Sequence, residues 1–523
     1  MGNPKNRVTF VAFTAAAFQD AVRVLSGAPA TADANPQTQR LSEHIQAHAA
    51  PASEVGDART GLTMVIEDHY VDRHFIEEVG IYYARCLRPP PNYCGRIHVF
   101  RGRLTEAEFD AEIRCAIAGN RDDVQDRLSD RYIGFVVVRP IPAVPIGRTV
   151  LLPPRGDTQT EIRSPVRQTV HLCGIPLIVR EGVAFQQQDR AVAACATTAA
   201  WSVLHPVCRR EGKRPPTPAD ITQAAVRHYI PEGRAYPSQG LRVEQICEAL
   251  RAFDFPPDIL NARDPEMFRV LLGVYLRSGI PTILALHGEN SGHAVAAIGY
   301  RRNGSPKPRS AVDSMPACRF LNGGFDTIYA HDDRIGPYVE FDLATTDLKE
   351  CPGWMQPEAR QEGVSSFLLA TPRSGVRGPF WVRQAIVPLY PKLRSSATDL
   401  FYATADTVFL ASRSGEGESA DVECFFSQSG AYLEDLCSAH PDPDHYPQLA
   451  KELALSRYVG VVRWKRSGVT MFDALYDTTD ARRQIGDRPD SGAVLGFVLF
   501  DRHSASADLI RSVAKDVYKV PCN

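Results

Sequence analysis

The sequence contains no apolar run long enough to cross a bilayer, so no membrane-spanning helix is predicted. Net charge is almost absent too: 59 Lys plus Arg stand against 61 Asp plus Glu, a formal −2, and this balance points to neither nucleic acid nor an anionic membrane. The 12 cysteines are scattered, with no C-x-x-C pair and no zinc-like Cys/His spacing. That pattern argues against a disulfide framework or a structural metal and predicts reduced thiols in a cytoplasmic setting, with no metal or cofactor. No repeat of fixed period is present, which excludes a solenoid. What remains is an ordinary globular composition, 44% hydrophobic and 23% charged, in a chain of 523 residues that is too long for one core.

Lys5 and Arg7 precede an apolar run at 8–18 that has the outline of a signal peptide. Two threonines interrupt it, and Phe18, Val22 and Leu25 continue at helical spacing, so a helix of the folded protein is expected instead. Residues 26–60 read as a long loop around a short helix near 41–48. Order resumes with a strand at 62–66, a helix capped by Asp72 and a helix opened by the capping-box pair Thr105 and Glu108. Residues 132–138, YIGFVVV, read as a buried strand. Glu67, Asp68, His69, Asp72 and His74 form a tempting cluster. Its two histidines are five apart with the helix cap between them, so a strand end and a cap are expected there rather than a metal site. A Pro/Arg/Gly/Thr-rich passage at 147–168 marks the first expected boundary.

The chemistry centres on 185–201, FQQQDRAVAACATTAAW. Cys195 is flanked by small residues, and no Gly or Pro interrupts a helical reading from 194 to 204. A thiol in the first turn of a helix meets unpaired N–H groups and the positive end of the helix dipole, which favour a thiolate. Downstream, apolar strands at 280–286 and 294–298 flank a Gly/Asn/Ser turn, with His293 at the mouth of the second. A third short strand at 327–330 ends in His331, Asp332 and Asp333. Nucleophile, base and carboxylate thus follow one another at the ends of regular elements. Strand alternation lets only one of Asp332 and Asp333 face His293.

These residues, a Gln shortly before a Cys that opens a helix, Gly292-His293 followed by an apolar strand, and a strand ending in a carboxylate, resemble a papain-like cysteine peptidase. The closest likeness is to the bacterial peptidase C39-like branch, and it covers about 170–372. The resemblance implies Cys195 as nucleophile, His293 as general base and acid, Asp332 as the carboxylate that orients the imidazole, and a Gln as oxyanion donor. Gln188, with Gln187 in reserve, is the candidate, seven positions before the Cys where the family places it six before. The carboxylate follows the His by 39 positions, so an insertion at 301–324, rich in Gly, Pro, Ser, Asn and Arg, is expected to project as a loop beside the base and to act as a lid or substrate-selecting wall.

The predicted architecture is α+β. A papain-like domain at 166–375, helices first and antiparallel sheet after, is flanked by an N-terminal α/β domain at 1–165 and a C-terminal α+β domain at 376–523. The expected function is cleavage of a protein or peptide partner through a thioester acyl-enzyme. A transglutaminase-like acyltransferase uses the same residue order, and an interaction protein on a peptidase fold is the third reading. His205, His228 and His287 are expected in core or surface roles.

Overall fold

The structure, a computed structural model, describes residues 8–32, 35–49, 61–189, 191–228, 236–238, 240–290, 292–313, 315–373, 378–413, 420–439, 451–453, 455–479, 494–500 and 505–522. The fold is mixed α+β, built on three sheets that are almost wholly antiparallel. Strands are numbered along the chain and helices are given by residue range.

The first sheet uses β1 (Val8–Ala12), β2 (Leu62–Tyr70), β3 (Cys94–Arg101), β4 (Tyr132–Val138), β5 (Ile146–Leu151), β7 (Val166–Leu172) and β8 (Ile175–Phe185), in the order β1-β2-β3-β4-β5-β8-β7. Between β5 and β7 lies the two-residue β6 (Thr160–Glu161). Every residue of β4 is buried, because both faces of the sheet are covered. Ile133, Val136 and Val138 meet Phe18, Val22, Leu41 and Ile45 from the helices Ala15–Ser26 and Pro36–Gln46. Tyr132, Phe135 and Val137 belong to the large core that also holds Trp201 and Leu204. Burying a side chain of this size is worth about 1.5–3 kcal/mol, so these faces fix which way each strand points. Gly134 has φ +142°, and a Cβ there would lie 2.0 Å from the Val150 carbonyl oxygen, so only glycine lets β5 pair this closely.

The second sheet comprises β9 (Pro257–Asn261), β10 (Thr282–His287), β11 (Gly292–Arg301), β14 (Thr327–Asp332), β15 (Gly336–Asp347), β16 (Ser366–Pro372) and β17 (Phe380–Pro388), with β6 on β11. Pairing of β17 with β10 closes β10-β11-β14-β15-β16-β17 into a barrel. The third sheet joins β12 (Pro308–Arg309) and β13 (Cys318–Phe320) to β18 (Asp421–Gln428), β19 (Tyr458–Arg466), β20 (Val469–Asp477) and β21 (Val494–Leu499).

Local signals place most elements where the sequence predicts them. Thr105 and Glu108 form a reciprocal capping box, Asp72 caps Arg73–Ile81, and Asp264-Pro265 opens Pro265–Arg277. The apolar run near the amino terminus is β1 followed by a helix whose Phe18 and Val22 are buried. Glu67 is bound by Arg96 and His98, and Asp72 by Arg148, so the acidic cluster is a strand and a cap. Asp480, the end of the sequence Asp477–Asp480 expected as a strand end and cap, and residues 374–377 of a Gly/Pro/Arg/Ser-rich linker expected at 372–379 lie outside the described residues.

Sheet membership differs from expectation in four places. The N-terminal sheet is antiparallel, so that part is α+β rather than α/β. The sheets also run across both expected boundaries: β7 and β8 extend the first sheet, and β17 belongs to the barrel. The segment after β11 is not a free loop. Its β13 pairs with β18, Phe320 is buried, and the Asn322 amide donates to the Cys424 carbonyl while accepting from the Cys424 N–H. Backbone groups that would be costly to bury unpaired are thereby satisfied, which a projecting lid would not require.

Glu423 on β18 joins the third sheet to the rest. It is 1% exposed and accepts from Arg277 Nε at 2.9 Å, Arg302 Nη2 at 2.6 Å and Lys465 Nζ at 2.8 Å. Burial opposes its ionisation, but the three cations hold its carboxyl well below the usual range.

Candidate active site

Cys195 is the first residue of the helix Cys195–Arg210, and Ala194 at the cap supplies no side-chain acceptor. The first-turn N–H groups therefore have no capping side chain, and the half-buried Cys195 stands in that same turn. The turn before it is built by Asp189, a residue the sequence reading left without a role. Its Oδ1 accepts from the backbone N–H groups of Ala191, Val192 and Ala193 at 3.0, 3.0 and 2.8 Å, and its Oδ2 accepts from the Tyr83 hydroxyl at 2.8 Å. A carboxylate in this position wraps the chain into a tight turn and aims it into the helix.

The two glutamines before this turn are not equivalent. Gln187 is tied into the first sheet: its backbone N–H donates to Ile146 and its Oε1 accepts from the Ile146 N–H. Gln188 is buried, and its amide has no hydrogen-bond partner among the described residues. Of the two, Gln187 has its amide oxygen anchored to the first sheet and Gln188 has its whole amide free, while neither Nε2 has a partner among the described residues.

The base and the acid come from neighbouring barrel strands. Ala296 on β11 pairs with His331 on β14, so those two share a face, and alternation turns His293 and Asp332 to the opposite one. His293 Nε2 lies 3.0 Å from Asp332 Oδ2, and both side chains are almost fully buried. Asp332 Oδ1 accepts from the Arg334 N–H at 2.8 Å, which fixes the carboxylate plane. The ring packs against Phe380. Its Nδ1 is buried without a hydrogen-bond partner among the described residues, and Cys195 is among the groups that raise the pKa of the ring. Burial would lower the pKa of His293, but Asp332 outweighs it, and with Cys195 raises the value to about 10. Asp332 is shifted the other way: burial opposes ionisation, and His293 together with the Arg334 N–H holds the carboxyl below its ordinary range.

Asp333 is the second unanticipated feature. Its carbonyl accepts from the Gln37 amide, a contact from the helix Pro36–Gln46, while both carboxyl oxygens are buried without partners. Burial, and then Asp332, push its pKa up to about 7 against a favourable contribution from His293. His293, Asp332 and Asp333 bring ligand atoms within 4.8 Å of one another, a geometry able to hold a cation. Both Asp332 oxygens and His293 Nε2 are already engaged in hydrogen bonds, however, so a cation would have to break them.

The raised Asp333 pKa has a definite sign in stability. Between about pH 4 and pH 7 the native state holds a proton that the unfolded chain has released, so this contribution is complete below about pH 4 and is lost as pH rises through 7. Asp333→Asn is therefore expected to stabilise the fold by about 2 kcal/mol at mildly alkaline pH and to change little near pH 4. Urea unfolding at the two pH values measures the difference. Equal effects at both would show that the carboxyl is not buried without a partner.

His205 is buried, His228 is exposed, and His287 lies 3.6 Å from Glu358, so the structure brings none of them into this cluster. His331 is buried, with Nδ1 3.2 Å from the Ala184 carbonyl. Burial lowers its pKa to about 3, so it stays neutral. When the chain is compared with models of known protein families and with curated proteins, neither comparison finds a match.

Proposed function

We propose that this chain is a cysteine peptidase of papain-like type, similar to the C39-like branch, acting on a protein or peptide partner. The observation that carries the reading is the juxtaposition of Cys195, at an uncapped helix start, with a buried imidazole whose far nitrogen is tethered to Asp332. In this reading the Cys195 sulfur attacks the scissile carbonyl carbon and forms a tetrahedral intermediate. The Gln188 amide and the Cys195 backbone N–H donate to its oxyanion. His293 gives its proton to the departing amine as the C–N bond breaks, leaving a thioester on Cys195. Water then attacks the thioester while His293 takes its proton, and the sulfur leaves with the carboxylic acid released.

A peptide-derived electrophile tests this directly. It should label Cys195 faster than every other cysteine, including the exposed Cys173 and Cys437. Labelling that follows exposure instead would remove the reading. Since His293 must enter the reaction protonated, kcat/KM should fall on the alkaline side with a midpoint near 10.

A further inference from the structure

The first sheet holds a cavity with no part in the thiol chemistry. Its volume is about 380 Å³, and Tyr70, Arg96, Phe135, Arg148 and Gln168 contribute to its lining. Such a volume accommodates a small molecule. The walls come from β2, β3, β4, β5 and β7, and the exposed Thr169 and His171 on β7 put one side at solvent.

Two guanidiniums of the lining sit over aromatic rings. Arg96 lies 3.8 Å over the Tyr70 ring and Arg148 lies 5.2 Å over the Phe135 ring. Each is held on one side only: Arg96 by Glu67 and the His171 carbonyl, Arg148 by Asp72 and the Tyr70 hydroxyl. The third polar group is Gln168, which is 2% exposed. Its Oε1 accepts from Arg209 Nη2 at 3.3 Å. Because a guanidinium can only donate, this bond fixes the orientation of the amide. Gln168 Nε2 is then a buried donor with no partner, which costs free energy unless something accepts from it.

The charge count has the same sign. Arg96 and Arg148 have Glu67 and Asp72 as counterions, whereas Arg209 donates to His205 and Gln168 and has no carboxylate partner among the described residues. Burial, and then repulsion from Arg148, lower the Arg209 pKa. A half-buried positive charge is thus left uncompensated directly behind the unpartnered amide.

We infer that this cavity is a binding site for a small phosphate-bearing anion, received by the free edges of Arg96 and Arg148 and by Gln168 Nε2. Forked guanidiniums match phosphate oxygens in pairs, and the anion would supply both the missing acceptor and the missing counter-charge. The inference does not depend on the reading of Cys195. Arg209 lies in the last turn of the helix that Cys195 opens, about 21 Å along its axis, so the two sites are separate.

Calorimetric titration of the full chain with inorganic phosphate, and separately with adenosine monophosphate, tests the site. One-to-one binding of millimolar affinity or tighter is expected for at least one probe. Stronger binding of the nucleotide would identify a ligand larger than the anion alone, and equal binding would identify the phosphate group as sufficient. Gln168→Glu keeps the acceptor for Arg209, so it preserves the fold, but it replaces the free donor with a negative charge. Binding should weaken at least about ten-fold in this variant. No binding of either probe to the wild-type chain, or unchanged binding in Gln168→Glu, would overturn the assignment.

Discussion

Cys195→Ala is expected to abolish turnover, lowering kcat by about 10⁴-fold or more, and His293→Ala should match it. The double variant should lose little beyond either single one, because nucleophile and base act as a unit. Asp332→Asn should cost about 10²-fold or more. The amide can still meet the ring at 3.0 Å but no longer carries the charge that holds His293 protonated. Asp333→Asn should stay within about ten-fold of wild type, since its carboxyl oxygens touch no group of the proposed triad by hydrogen bond. Steady-state kinetics on a cleavable peptide separates these outcomes. If Asp333→Asn is the more damaging change, Asp332 is not the orienting carboxylate.

The largest effect on stability is expected away from the thiol, at Glu423. Glu423→Ala leaves Arg277, Arg302 and Lys465 facing one another without their shared carboxylate, and Arg277 has a side chain only 9% exposed. Removing one partner of a buried ion pair costs about 3–5 kcal/mol, because the remaining charge stays desolvated. The loss should appear as a lower denaturant midpoint. The pH dependence has the opposite sign to that of Asp333. A carboxyl held below its ordinary value contributes stability that is present above about pH 4 and is lost as pH falls further. The difference between wild type and Glu423→Ala should therefore narrow in acid. A change below about 0.5 kcal/mol at neutral pH would show that the cluster is solvated rather than buried.

How much of this was legible in the sequence depended on the range of the interaction. The start of the helix at Cys195, the cap at Asp264, the capping box at Thr105 and the strand that carries His293 are all signalled within a few residues. That only one of the two aspartates faces His293 also followed from a local rule, the two-residue alternation of a strand, whereas the choice of Asp332 came from the resemblance. What could not be read was the choice of partner. Nothing within 380–388 distinguishes a strand that closes the barrel on β10 from one that opens a new domain, because either use buries the same apolar residues. The docking of β13 on β18 and the hydrogen bond from Gln37 to Asp333, 296 positions apart, lie beyond any local pattern. Asp189 is different. Its position before a small-residue run fits an Asx turn, a signal set aside because the resemblance leads one to look for a glutamine there.

The placement of β13 and β17 bears on the order of synthesis. Ribosomes deliver the chain from its amino end, so Cys195 and His293 emerge well before the strand Phe380–Pro388 that closes their barrel and before Asp421–Gln428, to which the segment linking His293 and Asp332 is docked. A nascent chain holding the thiol and the imidazole therefore still lacks the strands that fix base and carboxylate in register. On the proposed reading, competence of the thiol is in this way coupled to synthesis of Phe380–Pro388 and Asp421–Gln428, and a nascent chain that stalls before them carries the Cys195 sulfur without the framework that would arm it.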